Sequence, residues 1–157
     1  MIENFLRTNL IVPPPRQNLV PRQRLIQRLN AGLQPGIRML LVAAPAGFGK
    51  TTLVSTWAQS AAVTIAWLSL DDGDNDLNRF WRYVTAALAA AQPEIGELSQ
   101  SLLATGVSPP LDAIQSLLVN QLSEVDGPLL LVLDDYHHIL NEQIHDSLNR
   151  FADRLPH

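Results

Sequence analysis

The chain has 157 residues, 46% of them hydrophobic, with 11 Lys and Arg against 15 Asp and Glu, a net charge of -4 and no cysteine. One domain's worth of residues at this apolar content can bury a core, and the lack of cysteine excludes disulfide scaffolds, thiolate catalysis and Cys-based zinc or iron-sulfur sites. The longest apolar runs, MLLVAAPAGF (39–48) and PLLLVL (128–133), fall short of the roughly 18 residues a membrane-spanning helix needs; Glu3 and the broken apolar pattern after it are unlike a secretory leader. A cytoplasmic protein without membrane association is therefore expected.

Residues 1–21 contain Pro13, Pro14, Pro15 and Pro21, which predicts an extended arm. A helix is predicted from Arg22, with Leu25, Ile26, Leu29 and Leu33 on one stripe, until Pro35 and Gly36 break it. Residues 1–38 carry a net charge of +5 and the remainder -9. Six arginines without aromatic interleaving suit salt links or a small anion better than a nucleic-acid surface.

IRMLLVAA (37–44) has the continuous apolar character of a parallel strand covered on both faces. A Gly-containing turn, a helix from Lys50 to Ser60 and a second strand, VTIAWLSL (63–70), complete a β-α-β unit. The acidic turn DDGDND (71–76) leads into a helix ending near Ala91, with Leu77, Phe80, Trp81, Val84 and Leu88 at helical spacing. A helix over 111–124 starts after Pro109-Pro110, with Asp112 as its cap and Ile114, Leu117, Leu118 and Leu122 facing inward. PLLLVLDD (128–135) reads as the third strand, and a last helix opens near Asn141, burying Ile144, Leu148, Phe151 and Leu155. Strands alternating with helices imply an α/β fold, a three-layer parallel sheet.

APAGFGKTT (44–52), between a predicted strand and a helix, reads as a P-loop. Small residues let backbone N–H groups wrap a triphosphate closely, and the loop runs into a helix N-terminus whose dipole favours anions. Ala46, Gly47, Phe48 and Gly49 supply that main chain; Lys50 bridges the β- and γ-phosphates, the Thr51 hydroxyl completes a magnesium shell, and Thr52 lies near the α-phosphate. The pattern departs at its first position, where Ala44 replaces Gly; a methyl is tolerated there if φ is negative. LLLVLDD (129–135) has Walker B form: Asp134 holds magnesium and Asp135 polarises the attacking water. Asp135 is one methylene shorter than the usual Glu, which predicts slow turnover.

Other constellations are weaker. In the turn from Asp71 the Gly falls third rather than sixth and Arg82 takes the twelfth place, so a calcium loop is rejected for a solvated turn with a helix cap at Asp74 or Asn75. His137, His138 and His145 lack the spacing of a metal site and read as surface or loop residues. Trp57 and Trp67 are expected in the core, and Ser55 and Ser69 have no His at a triad's spacing.

Four stretches, TNLIVPPPRQNLVPRQRLIQRL, AAPAGFGKTTLVSTWA, IAWLSLDDGDNDLNRFWRYVTAAL and LLLVLDDYHHI, together resemble the N-terminal ATPase of the MalT-like large ATP-binding regulators of the LuxR family, in the STAND class of P-loop NTPases. WLSLDDGDND and LDDYHHI are the most specific of these. The resemblance implies an ADP-bound resting state and an ATP-bound, self-associating active state, with DNA read only by a distant C-terminal helix-turn-helix. It also implies that Val20 and Arg22, in Leu19-Val20-Pro21-Arg22-Gln23, lie on the adenine side, although Pro and Gln replace the family's Gly and Glu. In that class a fourth strand inserts between the Walker B and P-loop strands, so the chain is expected to be a piece of a much longer regulator, truncated before its fourth core strand. It is expected to divide into an arm and helix (1–36) and an incomplete P-loop NTPase core (37–157). The alternative weighed against the regulator is a small P-loop phosphotransferase, for which only Arg150 and Arg154 follow the Walker B strand as lid candidates.

Overall fold

A computed structural model describes residues 7–14, 20, 22–95 and 110–156. The expectations on Pro15, Leu19, Pro21 and Pro109 lie outside the described residues. The chain divides into two units, one of Met1–Ile11 with Thr64–Pro156 and the other of Val12–Val63.

In the larger unit, β1 (Thr64–Ser69) and β2 (Leu129–Asp134) pair in parallel, Thr64 opposite Leu129 and Ser69 opposite Asp134. The ladder is extended at both ends, where Thr64 N–H donates to Pro128 O (3.1 Å) and Leu70 N–H to Asp134 O (3.0 Å). Packed on this pair is α3 (Leu77–Ala91), whose Phe80, Trp81, Val84 and Leu88 share the core with Leu68 of β1. The helices α4 (Leu111–Glu124) and α5 (Glu142–Arg154) complete the layer, contributing Leu118, Ile144 and Phe151. Each starts where local chemistry allows. Asp76 Oδ1 accepts from Arg79 N–H at 2.8 Å to cap α3, and Asn141 Oδ1 accepts from Gln143 N–H at 3.0 Å to cap α5.

One expectation on helix detail is corrected. Pro110 occupies the N-cap of α4 with no side-chain cap, and Asp112 lies inside the first turn, where its charge still complements the helix dipole. The buried face of α4 includes Gln115 and Gln121 beside Leu118, while Ile114, Leu117 and Leu122 are half-buried. Gln115 is accommodated because its amide donates to Ser147 O (3.2 Å), and Ser147 Oγ accepts from Trp81 Nε1 (2.9 Å). This polar thread ties α3, α4 and α5 together inside the core, although Gln115 Oε1 itself is buried without a hydrogen-bond partner. The arm is also not wholly extended: Arg7–Leu10 forms a 3-10 turn, and Leu10 packs against the core.

In the smaller unit, α1 (Gln23–Ala31) and α2 (Lys50–Ala58) pack together, with Leu29 and Trp57 buried and Trp57 Nε1 donating to Asn30 Oδ1 at 2.7 Å. The expected strand over 37–44 is not formed: no described residue pairs with it, and Ile37, Met39, Leu40 and Leu41 are exposed, Leu41 to 81%. A strand is held by its ladder, so an apolar run without a hydrogen-bonding neighbour has the composition of a strand but not its structure. The Leu40 side chain lies so near Gly32 that a Cβ there would meet it at 2.8 Å.

The mixed α/β architecture and the parallel ladder agree with the expected fold class. Replacing Trp81, fully buried and edge-on to Phe80 and Phe151, by Ala is expected to cost about 3–5 kcal/mol of stability, measured by urea unfolding. A loss below about 1 kcal/mol is the result this packing does not allow.

Candidate functional site

The P-loop lies in the smaller unit. Gly47 (φ 80°) and Gly49 (φ 76°) are left-handed, a conformation in which side chains are strained, and a Cβ on Gly47 would meet nothing within 4 Å. The loop is drawn together by Phe48 N–H donating to Pro45 O (3.4 Å), and α2 begins at once, with Leu53 N–H on Gly49 O at 2.9 Å. Lys50 Nζ donates to Ala44 O (2.8 Å) and Pro45 O (3.3 Å), which places the ammonium over the loop's entry. Ala44 fits in place of Gly because the only non-glycine residue with positive φ among those described is Asp135. Thr51 and Thr52 occupy the first turn of α2, while Val20 is exposed.

The cradle fits an anion: conformations open chiefly to glycine, unfilled space at Gly47 and a lysine at the head of a helix are what a polyphosphate requires. Arg22, at the N-cap of α1, reaches the same loop. Its Nη1 donates to Phe48 O at 3.0 Å, a contact that nothing in the local sequence announces.

The Walker B strand lies in the larger unit. Asp134 ends β2, half-buried, and Asp135 follows with φ 56°, a left-handed conformation that Asp tolerates better than most residues. Beyond it, Tyr136–His138 form a 3-10 turn, with His138 N–H on Asp135 O (3.0 Å) and Ile139 N–H on Tyr136 O (3.0 Å). The Tyr136 hydroxyl pairs with His145 Nδ1 of α5 at 2.7 Å, and burial pushes the phenol's pKa up.

The acidic turn after β1 is the partner of this loop. Asn75 Nδ2 donates to His138 O (2.7 Å), Asn75 Oδ1 accepts from Leu140 N–H (2.6 Å) and Asn141 N–H (3.1 Å), and Asn141 Nδ2 donates to Asn75 O (2.9 Å). Asp72 Oδ1 meets His138 Nδ1 at 2.7 Å. The expectation of a solvated turn capped at Asp74 or Asn75 is therefore corrected. Asp71 caps the turn, accepting from Gly73 N–H (2.8 Å), and Asp76 caps α3. Asp74 is buried, accepting from Asp71 N–H (2.9 Å) and pairing with Arg79 Nε (3.0 Å). That hydrogen bond raises the Arg79 pKa and keeps the buried carboxylate paired. Of the histidines, His137 is exposed and 3.7 Å from Asp135 Oδ1, whereas His138 is half-buried in the turn-to-loop contact. Trp57 and Trp67 are core residues, as expected.

No three His, Asp or Glu side chains gather into a metal-holding set among the described residues. Thr51 and Asp134 offer the hard oxygen donors that suit magnesium, which keeps several waters and phosphate oxygens in its shell. No helix among the described residues is long and apolar enough to cross a membrane.

Comparison with known proteins agrees with this geometry. Residues 18–156 match the model of the AAA ATPase domain family. The chain is 39% identical over 152 residues to the HTH-type transcriptional regulator MalT of Yersinia pestis (strain Pestoides F), covering 97% of this chain and 16% of that protein. It is 38% identical, with the same coverage, to the MalT regulator of Yersinia enterocolitica serotype O:8. The chain thus spans about 16% of the length of the curated relatives it matches.

The Asn75 contacts predict that Asn75→Ala destabilises the chain by about 2 kcal/mol, measured by urea unfolding, because several hydrogen bonds lose one partner together. The Asp72 hydrogen bond raises the His138 pKa against a smaller desolvation effect, so protonated His138 favours the fold. This stabilisation is full below about pH 6.5 and is lost as pH rises through the raised native pKa. Unfolding midpoints should fall across that window in the wild type, and the fall should shrink in Asp72→Asn.

Proposed function

The chain belongs to the AAA ATPase domain family, and on that premise we propose that it is the ATP- and ADP-binding module of a signal-responsive transcriptional activator, switched by nucleotide exchange and slow hydrolysis. The observation that carries the reading is the glycine-shaped cradle at Gly47 and Gly49 with Lys50 at the head of α2. Similarity to the MalT regulators favours a regulatory module over a small-molecule phosphotransferase.

In this reading the main chain of Ala46, Gly47, Phe48 and Gly49 wraps the phosphates, Lys50 balances the charge of the β- and γ-phosphates, and Thr52 lies beside the α-phosphate. Thr51 and Asp134 hold Mg2+, which neutralises phosphate charge when bound. Asp135 orients the attacking water and accepts its proton; its short side chain makes this step slow. Val20 and Arg22 flank the adenine side. The longer protein self-associates in its ATP state and meets DNA through a C-terminal domain beyond these residues, in the cytoplasm.

The test is calorimetry of Mg-ATP and Mg-ADP binding. Lys50→Ala should weaken both at least tenfold, about 1.4 kcal/mol. Equal affinity in mutant and wild type would remove the assignment. Asp135→Asn should leave ATP affinity within about twofold, roughly 0.4 kcal/mol, and abolish slow phosphate release; continued release at the wild-type rate would take Asp135 out of the reaction.

A further inference from the structure

We propose that Arg22 is a positioning residue of the phosphate loop, a clamp that sets the direction of the Gly49 N–H rather than a contact to the base. The inference rests on the nucleotide-binding reading above and assigns Arg22 a different task within it.

Three observations carry it. Arg22 Nη1 donates to Phe48 O at 3.0 Å, and Nη2 lies 3.9 Å from where a Cβ on Gly49 would sit, so the guanidinium lies against the Phe48–Gly49 peptide. That peptide is trans, as are all the described ones, so its C=O and N–H point to opposite sides. Fixing the carbonyl toward Arg22 therefore turns the Gly49 N–H away from the arm, free to donate to a phosphate oxygen. Gly49 needs this restraint because at φ 76° it is a glycine in a loop, with nothing of its own side chain to hold it. The third observation is the anchoring of Arg22 itself. Its carbonyl accepts from Leu25 N–H (2.9 Å) and Ile26 N–H (3.1 Å) at the start of α1, and α1 is pinned to the P-loop helix by Trp57 Nε1 on Asn30 Oδ1 (2.7 Å). The clamp is thus a closed circuit: P-loop, α2, Trp57, Asn30, α1, Arg22 and back to the P-loop.

The experiment compares wild type with Arg22→Ala, using Mg-ATP and Mg-tripolyphosphate, which carries the phosphates without a base, and following the Gly49 amide by 15N NMR in the nucleotide-free protein. Arg22 is exposed, so the variant should fold, and its unfolding midpoint controls for this. The clamp predicts about tenfold weaker binding of both probes and a displaced Gly49 amide resonance before any ligand is added, as expected for loss of a charged hydrogen bond. Weaker Mg-ATP binding with unchanged tripolyphosphate binding assigns Arg22 to the base and overturns the clamp. Weaker binding of both probes with an unmoved Gly49 amide makes Arg22 a direct phosphate contact and also overturns it. Failure of wild-type protein to bind Mg-ATP defeats the underlying reading and the clamp together, a result distinct from either.

Discussion

The parallel pairing of β1 and β2 in matched register is the constraint from which the Walker B end of the molecule follows. Because Ser69 lies opposite Asp134, both strands end at the same level and the chain leaves each at one edge of the ladder. Two loops leaving side by side must satisfy their own backbone groups, since a turn offers no ladder to do so. Asn75 solves this for both: one planar amide and its own carbonyl serve His138, Leu140 and Asn141, 63 to 66 residues away. With that joint made, the 3-10 turn Tyr136–His138 can follow a left-handed Asp135 directly, and α5 starts from Asn141 in a fixed direction.

The smaller unit uses the same device with different residues. There side chains reach the carbonyls of a loop: Arg22 that of Phe48, and Lys50 those of Ala44 and Pro45, the last shared with Phe48 N–H. Cations held on its acceptors suit a loop that meets an anion. The phosphate loop in one unit and the Walker B end in the other are thus each shaped by side chains reaching main chain, the commoner form of side-chain hydrogen bond in proteins.

How much of this was legible in the sequence depends on how far each signal travels. The helix over 77–91 and the one over 111–124 matched their predicted spans because apolar spacing and the break at Pro109-Pro110 act within a turn or two. The P-loop glycines and the tolerance of Ala44 were readable for the same reason. The strand over 37–44 was misread because strand formation is decided by a neighbour, which no window of sequence contains. The acidic turn and the LDDYHHI stretch stood out as the most specific parts of the resemblance. That they do so as a mated pair, through Asn75 and through Asp72 with His138, was invisible, since contacts between residues 65 apart leave no periodicity. The Arg22 hydrogen bond to Phe48 O, between residues 26 apart, was invisible for the same reason.

The stretch from Ile37 to Leu41 bears on how the polypeptide behaves in a tube. Without a charge after Arg38, outside the strand ladder of the described residues and exposing up to 81% of a leucine, it presents hydrophobic side chains of strand-like composition, a combination that draws separate molecules into shared sheets. Added Asp or Glu at Met39 or Leu41 would therefore extend the shelf life of this polypeptide, whereas raising ionic strength, by screening the net charge of -4, would shorten it.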